Sequence, residues 1–522
     1  MNKKIKKALI SVFHKDGLDE IITLLKQNNV EIYSTGGTQQ YIETLGAKVS
    51  PVEQLTTYPS ILGGRVKTLH PKVFGGILAR QSHQNDVVEL ENYEIPSFDL
   101  VVVDLYPFEE TVETTQDHGQ IIEKIDIGGI SLIRAAAKNY NDVCIIPSKN
   151  QYAILKDILE NQKGETSNKI RLQLAKQAFE ISSTYDAAIQ EYFSTKTEAE
   201  ETPEATQNQN SLPEKVSITL RNKKSLRYGE NPHQEGAFYG NLHELFTQLN
   251  GKELSFNNLL DVDAALSLLS DLDDHAPTVV IIKHTNACGI AKRETLLQAW
   301  NDAVAGDPVS AFGGIIALNK EVDEATAEEM NTLFFEILIA PSFKEEALTI
   351  LKSKKNRILL QLHEIPQQTY NLRGLLNGIL LQQRDNKTEN KEDLKTVTQL
   401  SPSEDEIKDL LFANIIAKHT KSNTIVLAKN QQLIGSGTGQ TSRVDALKQA
   451  IQKAKSFNLD TEGAVMASDA FFPFPDCVEI AHNSGINAVI QPGGSIRDQE
   501  SVDYCNNNQM KMVLTGARHF KH

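Results

Sequence analysis

The chain has 522 residues, 40% of them hydrophobic and 23% charged, with a formal net charge of −15. That length allows roughly two to four domains with buried cores, and no apolar run approaches the roughly 18 residues of a membrane span. The acidic balance without a long basic block argues against a nucleic-acid surface, and four cysteines without a C-x-x-C pair exclude a disulfide scaffold.

In chain order, "MNKKIKKALISVFHK" opens with basic residues, but its apolar stretch is too short for a signal peptide, which predicts a cytoplasmic protein. The runs "ALISV", "EIYST", "DLVVVDLY" and "VCIIP" predict buried parallel strands, with amphipathic stretches such as "GLDEIITLLKQNN" between them. This is a doubly wound α/β pattern, whose ligands sit at the carboxyl ends of the strands. The segment closes with a helix, "IRLQLAKQAFEISSTYDAAIQEYF". Ser194–Lys215 is acidic and polar with no apolar face, which predicts a mobile linker (195–215) between domains 1–194 and 216–522. Buried strands return in "TVVIIKH", "GGIIALN", "TIVLAK", "GAVMASDAFF" and "NAVIQPGG". "IIKHTN" at 281–286 echoes "IAKHTK" at 416–421, and "SAFGG" at 310–314 loosely echoes "SDAFF" at 468–472. Their spacings differ, so the echo fits a diverged duplication and chance about equally.

Several stretches carry chemistry. "STGGT" (Ser34, Thr35, Gly36, Gly37, Thr38) lies between a strand and a helix, where exposed backbone N–H groups suit a phosphate. Ser11 and Lys15 end the first strand near it. In "GGRVKTLHPKVFGG", Arg65 and Lys67 share one face of an extended segment, next to Thr68. Tyr106 follows a strand in "DLYPF". In "IDIGGISLIRAAAKNY", Asp126 precedes Gly128 and Gly129, which open a helix carrying Arg134 and Lys138 one turn apart. These loops suit a phosphorylated substrate that needs proton transfer and charge stabilisation. Further on, "SLRYGENPHQEG" groups Arg227, Tyr228, Asn231 and His233, and Lys283–His284 ends a buried strand. A zinc deaminase would need P-C-x-x-C after H-x-E, which is absent, and no dedicated base is assigned to Cys288 as a nucleophile. "GSGTGQTSR" has the wrong spacing for a dinucleotide turn.

Ten ordered motifs, among them "GGRVKTLHP", "IDIGGISLIRAAAKN", "LRYGENPHQ", "KHTNACG", "DPVSAFGG", "SDAFFPFPD" and "TGARHFKH", closely resemble the bifunctional AICAR transformylase/IMP cyclohydrolase family. The resemblance implies a methylglyoxal-synthase-like domain that closes the ring of IMP. It implies a following formyltransferase of two cytidine-deaminase-like subdomains dividing near 385–400. The implied co-substrate is 10-formyltetrahydrofolate, with no zinc, potassium in some members, and active sites shared across a homodimer. Its partners would be small molecules, with no nucleic acid and no membrane. By the same carry-over, His284 takes the proton of the attacking amine and Lys283 stabilises developing charge. Asn423 holds the reacting groups, and Arg227, Tyr228 and Arg518 grip the nucleotide. Phe312, Gly313, Phe471 and Asp469 line the site, Asp469 near the potassium. In the first domain Asp126 and Lys138 would serve proton transfer and oxyanion support, with Lys67 and Tyr106 positioning the substrate. Phe13, His14, Ala287 and Ala517 depart from the family's usual residues. The other readings are an enzyme of this family with one degenerate site, a single-function nucleotide-binding hydrolase, and a phosphate-sensing regulatory protein.

Overall fold

The computed structural model describes residues 2–200, 222–272, 275–365 and 369–522, with isolated positions 212, 216, 218 and 220. It divides into two compact units, Met1–Ser211 and Leu212–His522. Among the described residues no helix is long and apolar enough to cross a membrane.

The first unit is built on five parallel strands: β1 (Lys7–Ser11), β2 (Glu31–Ser34), β3 (Ser50–Pro51), β4 (Leu100–Val103) and β5 (Cys144–Ile146). Their spatial order is β3-β2-β1-β4-β5. Leu100–Val103 and Cys144–Ile146 are buried throughout, as strands covered on both faces require. Helix α1 (Leu18–Gln27) buries Leu18, Ile21, Ile22 and Leu25, one stripe at helical spacing. Helix α2 (Gly36–Thr44) starts directly after β2, α3 (Pro71–Leu78) follows the "GGRVKTLHP" loop, and α4 (Gly128–Lys138) precedes β5. The last helix, α5 (Asn168–Glu200), runs past the predicted linker start at 195, because helical residues continue there. Positions 201–211 and 213–215 of that predicted linker lie outside the described residues. The strand order turns back between β1 and β4, and that switch point is where a ligand cleft opens in such sheets.

The second unit holds a twelve-stranded sheet. In chain order its strands are β6 (Phe246–Asn250), β7 (Thr278–Lys283), β8 (Asn286–Lys292), β9 (Ile315–Leu318), β10 (Ile337–Ala340) and β11 (Ile358–Leu362). A separate hairpin of β12 (Tyr370–Leu375) and β13 (Gly378–Gln383) follows. Then come β14 (Lys395–Thr396), β15 (Ile425–Lys429), β16 (Gln432–Gly437), β17 (Val465–Ser468), β18 (Ala488–Gln491) and β19 (Lys511–Leu514). The spatial order is β6-β11-β10-β9-β7-β8-β16-β15-β17-β18-β19-β14.

This order is a repeat. β7 pairs antiparallel with β8 and β9, β9-β10-β11 run parallel, and β6 closes the edge antiparallel. β15 pairs antiparallel with β16 and β17, β17-β18-β19 run parallel, and β14 closes the other edge antiparallel. Helix α6 (Phe256–Leu272) precedes β7 and α7 (Leu296–Gly306) follows β8; α8 (Glu404–His419) and α9 (Arg443–Ser456) take the same places in the second half. Side chains alternate across the sheet: Val280 and Ile282 join one core, Val279 and Ile281 another. The first of these cores contains residues of both α6 and α8, so it spans both halves, whereas the opposite face carries one core per half. At the seam β8 meets β16 through a single residue pair, Ala291–Gln432.

The duplication does not lie where the sequence echo suggested. Lys283–His284 ends a strand, but Lys418–His419 closes helix α8. Likewise "SAFGG" precedes β9, whereas "SDAFF" begins at the last residue of β17. The topological counterpart of Lys283 is Lys429, at the end of β15.

Candidate functional site

At the β1/β4 switch point lies a cavity of about 670 Å³. Ser11, Lys15, Thr35, Gly37, Thr38, Arg65, Lys67, Thr68, Tyr106, Asp126, Gly128 and Gly129, all singled out in the sequence, line it. The N-termini of α2 and α4 both open onto it, turning the positive ends of two helix dipoles toward one space. Lys67 lies across the first of these, its Nζ 3.3 Å from where a Cβ on Gly36 would stand, and the φ of 55° at Gly36 favours glycine there. Lys15 Nζ donates to Thr38 Oγ1 at 3.2 Å. Burial holds the Lys15 ammonium below its usual range and Lys67 adds to this, while Asp104 opposes both. Such crowded, partly desolvated cations suit an anionic group.

Asp126 is a buried carboxylate of this cavity. Its backbone N–H donates to Tyr185 Oη at 2.8 Å, and its Oδ1 accepts from the Gly129 N–H at 2.6 Å. Burial pushes its carboxyl above the ordinary range, against the pull of the Gly129 N–H and of Lys67. Burial and the Asp126 charge both raise the Tyr106 phenol.

Three predicted members behave differently. Ser34 is fully buried and its hydroxyl donates to the Ile10 carbonyl at 2.7 Å, tying β2 to β1. Gly36 acts through its backbone geometry. Lys138 stands at the far end of α4, roughly 14 Å along the helix axis from Gly129. There it lines a second, apolar cavity with Phe74, Leu78, Leu172 and Phe179. The structure does not bring it to Asp126 of the same chain.

Other lining residues were not foreseen. Asp104 accepts from the backbone N–H groups of Phe13 and His14, and its Oδ2 lies 2.8 Å from His14 Nδ1. Lys124 Nζ lies 5.2 Å from the Phe13 ring centroid and 5.9 Å from that of Tyr106. The departures Phe13 and His14 therefore build an aromatic wall beside Tyr106 and a partner for Asp104.

In the second unit Lys283 and His284 line a cavity of about 340 Å³ with Asn286, Cys288, Asp307, Thr438 and Lys453. β7 pairs with β8 through a two-residue turn, His284–Thr285, both left-handed with φ of 52° and 60°. Lys283 Nζ donates to the Phe312 carbonyl at 2.7 Å, so the lysine and the exposed Phe312 ring belong to one rim. Gly313 turns that rim with a φ of 75°, its N–H donating to the Phe334 carbonyl at 2.8 Å. Burial pushes the Cys288 thiol up to about 12, so it is a neutral thiol.

Beside this rim, Asn423 and Gln440 exchange backbone hydrogen bonds at 3.2 Å each, two residues beyond Thr438 of the cavity wall. Arg443, quoted in a motif but given no role, ties the group together. Its Nη2 donates to Asn423 Oδ1 and to Asp469 Oδ1, both at 3.1 Å, and its Nε to Ser468 Oγ at 3.1 Å. The other oxygen of buried Asp469 has no hydrogen-bond partner among the described residues, and as a hard anionic donor it fits a cation. The tail bearing Arg518 is held by His519, whose Nδ1 lies 2.6 Å from Asp385 and Nε2 3.1 Å from Glu389. Burial lowers the proton affinity of this ring, but its hydrogen bonds to the Asp385 and Glu389 carboxylates prevail and raise its pKa to about 9. The His519 N–H donates to the Asp469 carbonyl, and Ser422 exchanges hydrogen bonds with Lys521. Phe471 is part-exposed, and the Arg518 guanidinium lies 4.4 Å from the Phe520 ring centroid. Arg227 stacks on Tyr228 at 5.5 Å, and neither shares a hydrogen bond with Lys283, His284, Asn423 or Asp469 among the described residues.

Each of the two units thus carries its own cavity lined by lysines and at least one aspartate. The AICARFT/IMPCHase bienzyme family profile matches residues 136–453, more than half of the chain. The chain belongs to the AICARFT/IMPCHase bienzyme family. An MGS-like domain matches residues 17–131, within the parallel-sheet unit. A relative named "Bifunctional purine biosynthesis protein PurH" from Bacteroides thetaiotaomicron is 57% identical, covering 100% of this chain and 99% of its own length. One of the same name from Acetivibrio thermocellus is 46% identical over 99% of this chain and 100% of its own length. A solved chain titled "Crystal structure of ForH" is 34% identical, covers 36% of this chain and 99% of its own length, and has a TM-score of 0.33. Membership at this identity makes the chain a bifunctional AICAR formyltransferase and IMP cyclohydrolase, acting in the last two steps of IMP synthesis.

Proposed function

We propose that the switch-point cavity of the first unit closes the purine ring and that the Lys283–His284 rim transfers the formyl group. The observation that carries this division is chemical. One cavity joins two helix N-termini and several cations to a buried carboxylate, and the other places a lysine and a histidine at the tip of one hairpin. Incubation with AICAR and 10-formyltetrahydrofolate should yield IMP by way of formyl-AICAR; formation of neither product would refute the reading.

In the first reaction the 5-amino group of AICAR attacks the formyl carbon of the folate. That amine is weakly nucleophilic because its lone pair delocalises into the ring and carboxamide. His284 takes its proton as the C–N bond forms, and Lys283 stabilises the charge on the formyl oxygen and the departing folate nitrogen. Asn423, with Arg443 behind it, orients the reacting amide, while Arg227, Tyr228 and Arg518 hold the nucleotide and Phe312, Gly313 and Phe471 line its place. Asp469 would hold a potassium ion through its free oxygen, an ion that would supply local charge balance.

In the second reaction the carboxamide nitrogen attacks the new formyl carbon, and water leaves. Asp126 removes the amide proton, Lys67 and Tyr106 position the formyl oxygen, and the α2 and α4 N-termini with Lys15, Arg65 and Thr68 hold the phosphate. Lys67 also draws the Asp126 carboxyl down, so removing it shifts that carboxyl further upward. A Lys67→Met variant should therefore lose cyclisation at a higher pH on the acid side than the wild type, because the base is protonated sooner as pH falls. An unmoved acid limb would exclude Asp126 as the base that Lys67 tunes.

The partners are small molecules, and the protein acts in the cytoplasm as a homodimer. The β12–β13 hairpin supports self-association, since Leu372, Ile379 and Leu380 are exposed on it and Leu376 is 97% exposed. A lone two-stranded hairpin is marginal in water unless something covers it. The proposed formyl transfer involves no zinc, because the sequence has no C-x-x-C pair to supply thiolate ligands. Divalent chelation should leave both activities unchanged, whereas exchanging potassium for tetramethylammonium should lower formyl transfer alone. A stoichiometric zinc whose removal stops formyl transfer would sink this assignment.

A further inference from the structure

The turn that carries His284 is one the sequence should resist. A two-residue hairpin turn with both residues left-handed favours Asn-Gly, because a Cβ, and above all a branched one, crowds the backbone there. Here it is His284–Thr285, a β-branched residue at a φ of 60°. A strained turn persists only where its surroundings over-determine it.

The surroundings are one carboxylate. Asp261, on α6, accepts the Thr285 N–H through Oδ1 at 2.6 Å, and the His284 backbone also bonds to this carboxylate. Asn286 Nδ2 closes the turn from the other side, donating to the His284 carbonyl at 2.7 Å.

The second half of the unit repeats the device without the chemistry. Lys429 ends β15, and the turn Asn430–Gln431 is again left-handed at both residues, each with a φ of 51°. Asp409, on α8, accepts the Asn430 N–H at 2.7 Å and the Gln431 N–H at 2.6 Å. Asp409 and Asp261 are each the sixth residue of their helix. The turn–carboxylate clasp is thus part of the repeated fold, and only in the first half does its tip carry an imidazole.

We propose that Asp261 is a positioning residue for formyl transfer, clasping the strained His284–Thr285 turn so that the imidazole meets the attacking amine. The inference rests on His284 being the proton carrier. Misplacing such a group by about 1 Å costs on the order of a hundredfold in rate, so Asp261→Ala should lower kcat for formyl transfer by about that factor. The KM for AICAR should change little, and cyclisation of supplied formyl-AICAR should remain as in the wild type. Adding Thr285→Gly, which removes the steric reason for the clasp, should restore about tenfold of the lost kcat, because a glycine adopts this turn unaided. Asp409→Ala, the equivalent change in the other half, should leave formyl transfer per folded protein unchanged.

Cyclisation activity and thermal unfolding report folding in every variant. Should Asp261→Ala fail to fold, Asp261→Asn, which keeps the shape and one acceptor, is read in its place alone and with Thr285→Gly. Wild-type kcat in a folded Asp261 variant, or no gain on adding Thr285→Gly, overturns the proposal. His284→Ala is measured alongside: if it stays active, the assignment of His284 fails, whereas an inactive His284→Ala with a fully active Asp261→Ala defeats the clasp alone.

Discussion

Formyl transfer by a His284→Ala variant is expected to fall by about a hundredfold to ten-thousandfold, the contribution of a positioned proton carrier. Cyclisation of supplied formyl-AICAR should stay at the wild-type rate, because His284 belongs to the second compact unit while Lys67, Tyr106 and Asp126 belong to the first. The two steps are followed separately, one by release of tetrahydrofolate and the other by IMP formed from formyl-AICAR. Loss of both activities in a folded variant would show that the two chemistries are not assigned to separate sites.

The second large effect concerns Lys138. The family resemblance gives it a part in ring closure, yet it lies at the opposite end of α4 from Gly129 and in a different cavity from Asp126. Both facts hold if a second copy of the chain presents its Lys138 to the cavity. Lys138→Ala and Asp126→Asn should then each abolish cyclisation as pure variants, while co-expression of the two should recover activity. A two-fold dimer that mixes at random gives half mixed dimers, each with one intact site of two, so recovery should reach about a quarter of wild type. Recovery no greater than the parent variants would remove Lys138 from the site. The apolar surroundings of Lys138, with Leu172 and Phe179 exposed nearby, are consistent with a covered surface.

The parallel sheet of the first unit was legible because each of its apolar runs is short and bounded by turn residues. The loops that line the switch-point cavity were legible for a related reason, since glycine pairs mark strand-to-helix turns. The place of Lys138 was not legible, because helical spacing shows which residues share a face, not which end of a helix meets a cavity. Asp261 and Arg443 carried no signal: an aspartate inside a helix and an arginine at a helix start are ordinary residues until the fold sets them against a turn or a carboxylate. Asp104 and Lys124 were hidden likewise, each known only by its neighbours across the cleft. The internal repeat was sought in matching tripeptides, but it survives in strand order and in the two aspartate-clasped turns, where Lys-His-Thr-Asn stands opposite Lys-Asn-Gln-Gln.

The seam between the halves of the twelve-stranded sheet sets one mechanical property of the formyl-transfer site. Lys283 and His284, the proposed proton carriers, come from the first half, and Asn423, Arg443 and Asp469 come from the second. Between them the backbone ladder narrows to one residue pair, while a continuous apolar layer backs the junction on one face only. A plate joined in that way bends most easily about its backed side, as a book opens about its spine. The distance between the His284 imidazole and the Asn423–Arg443–Asp469 group is therefore set across this fold line.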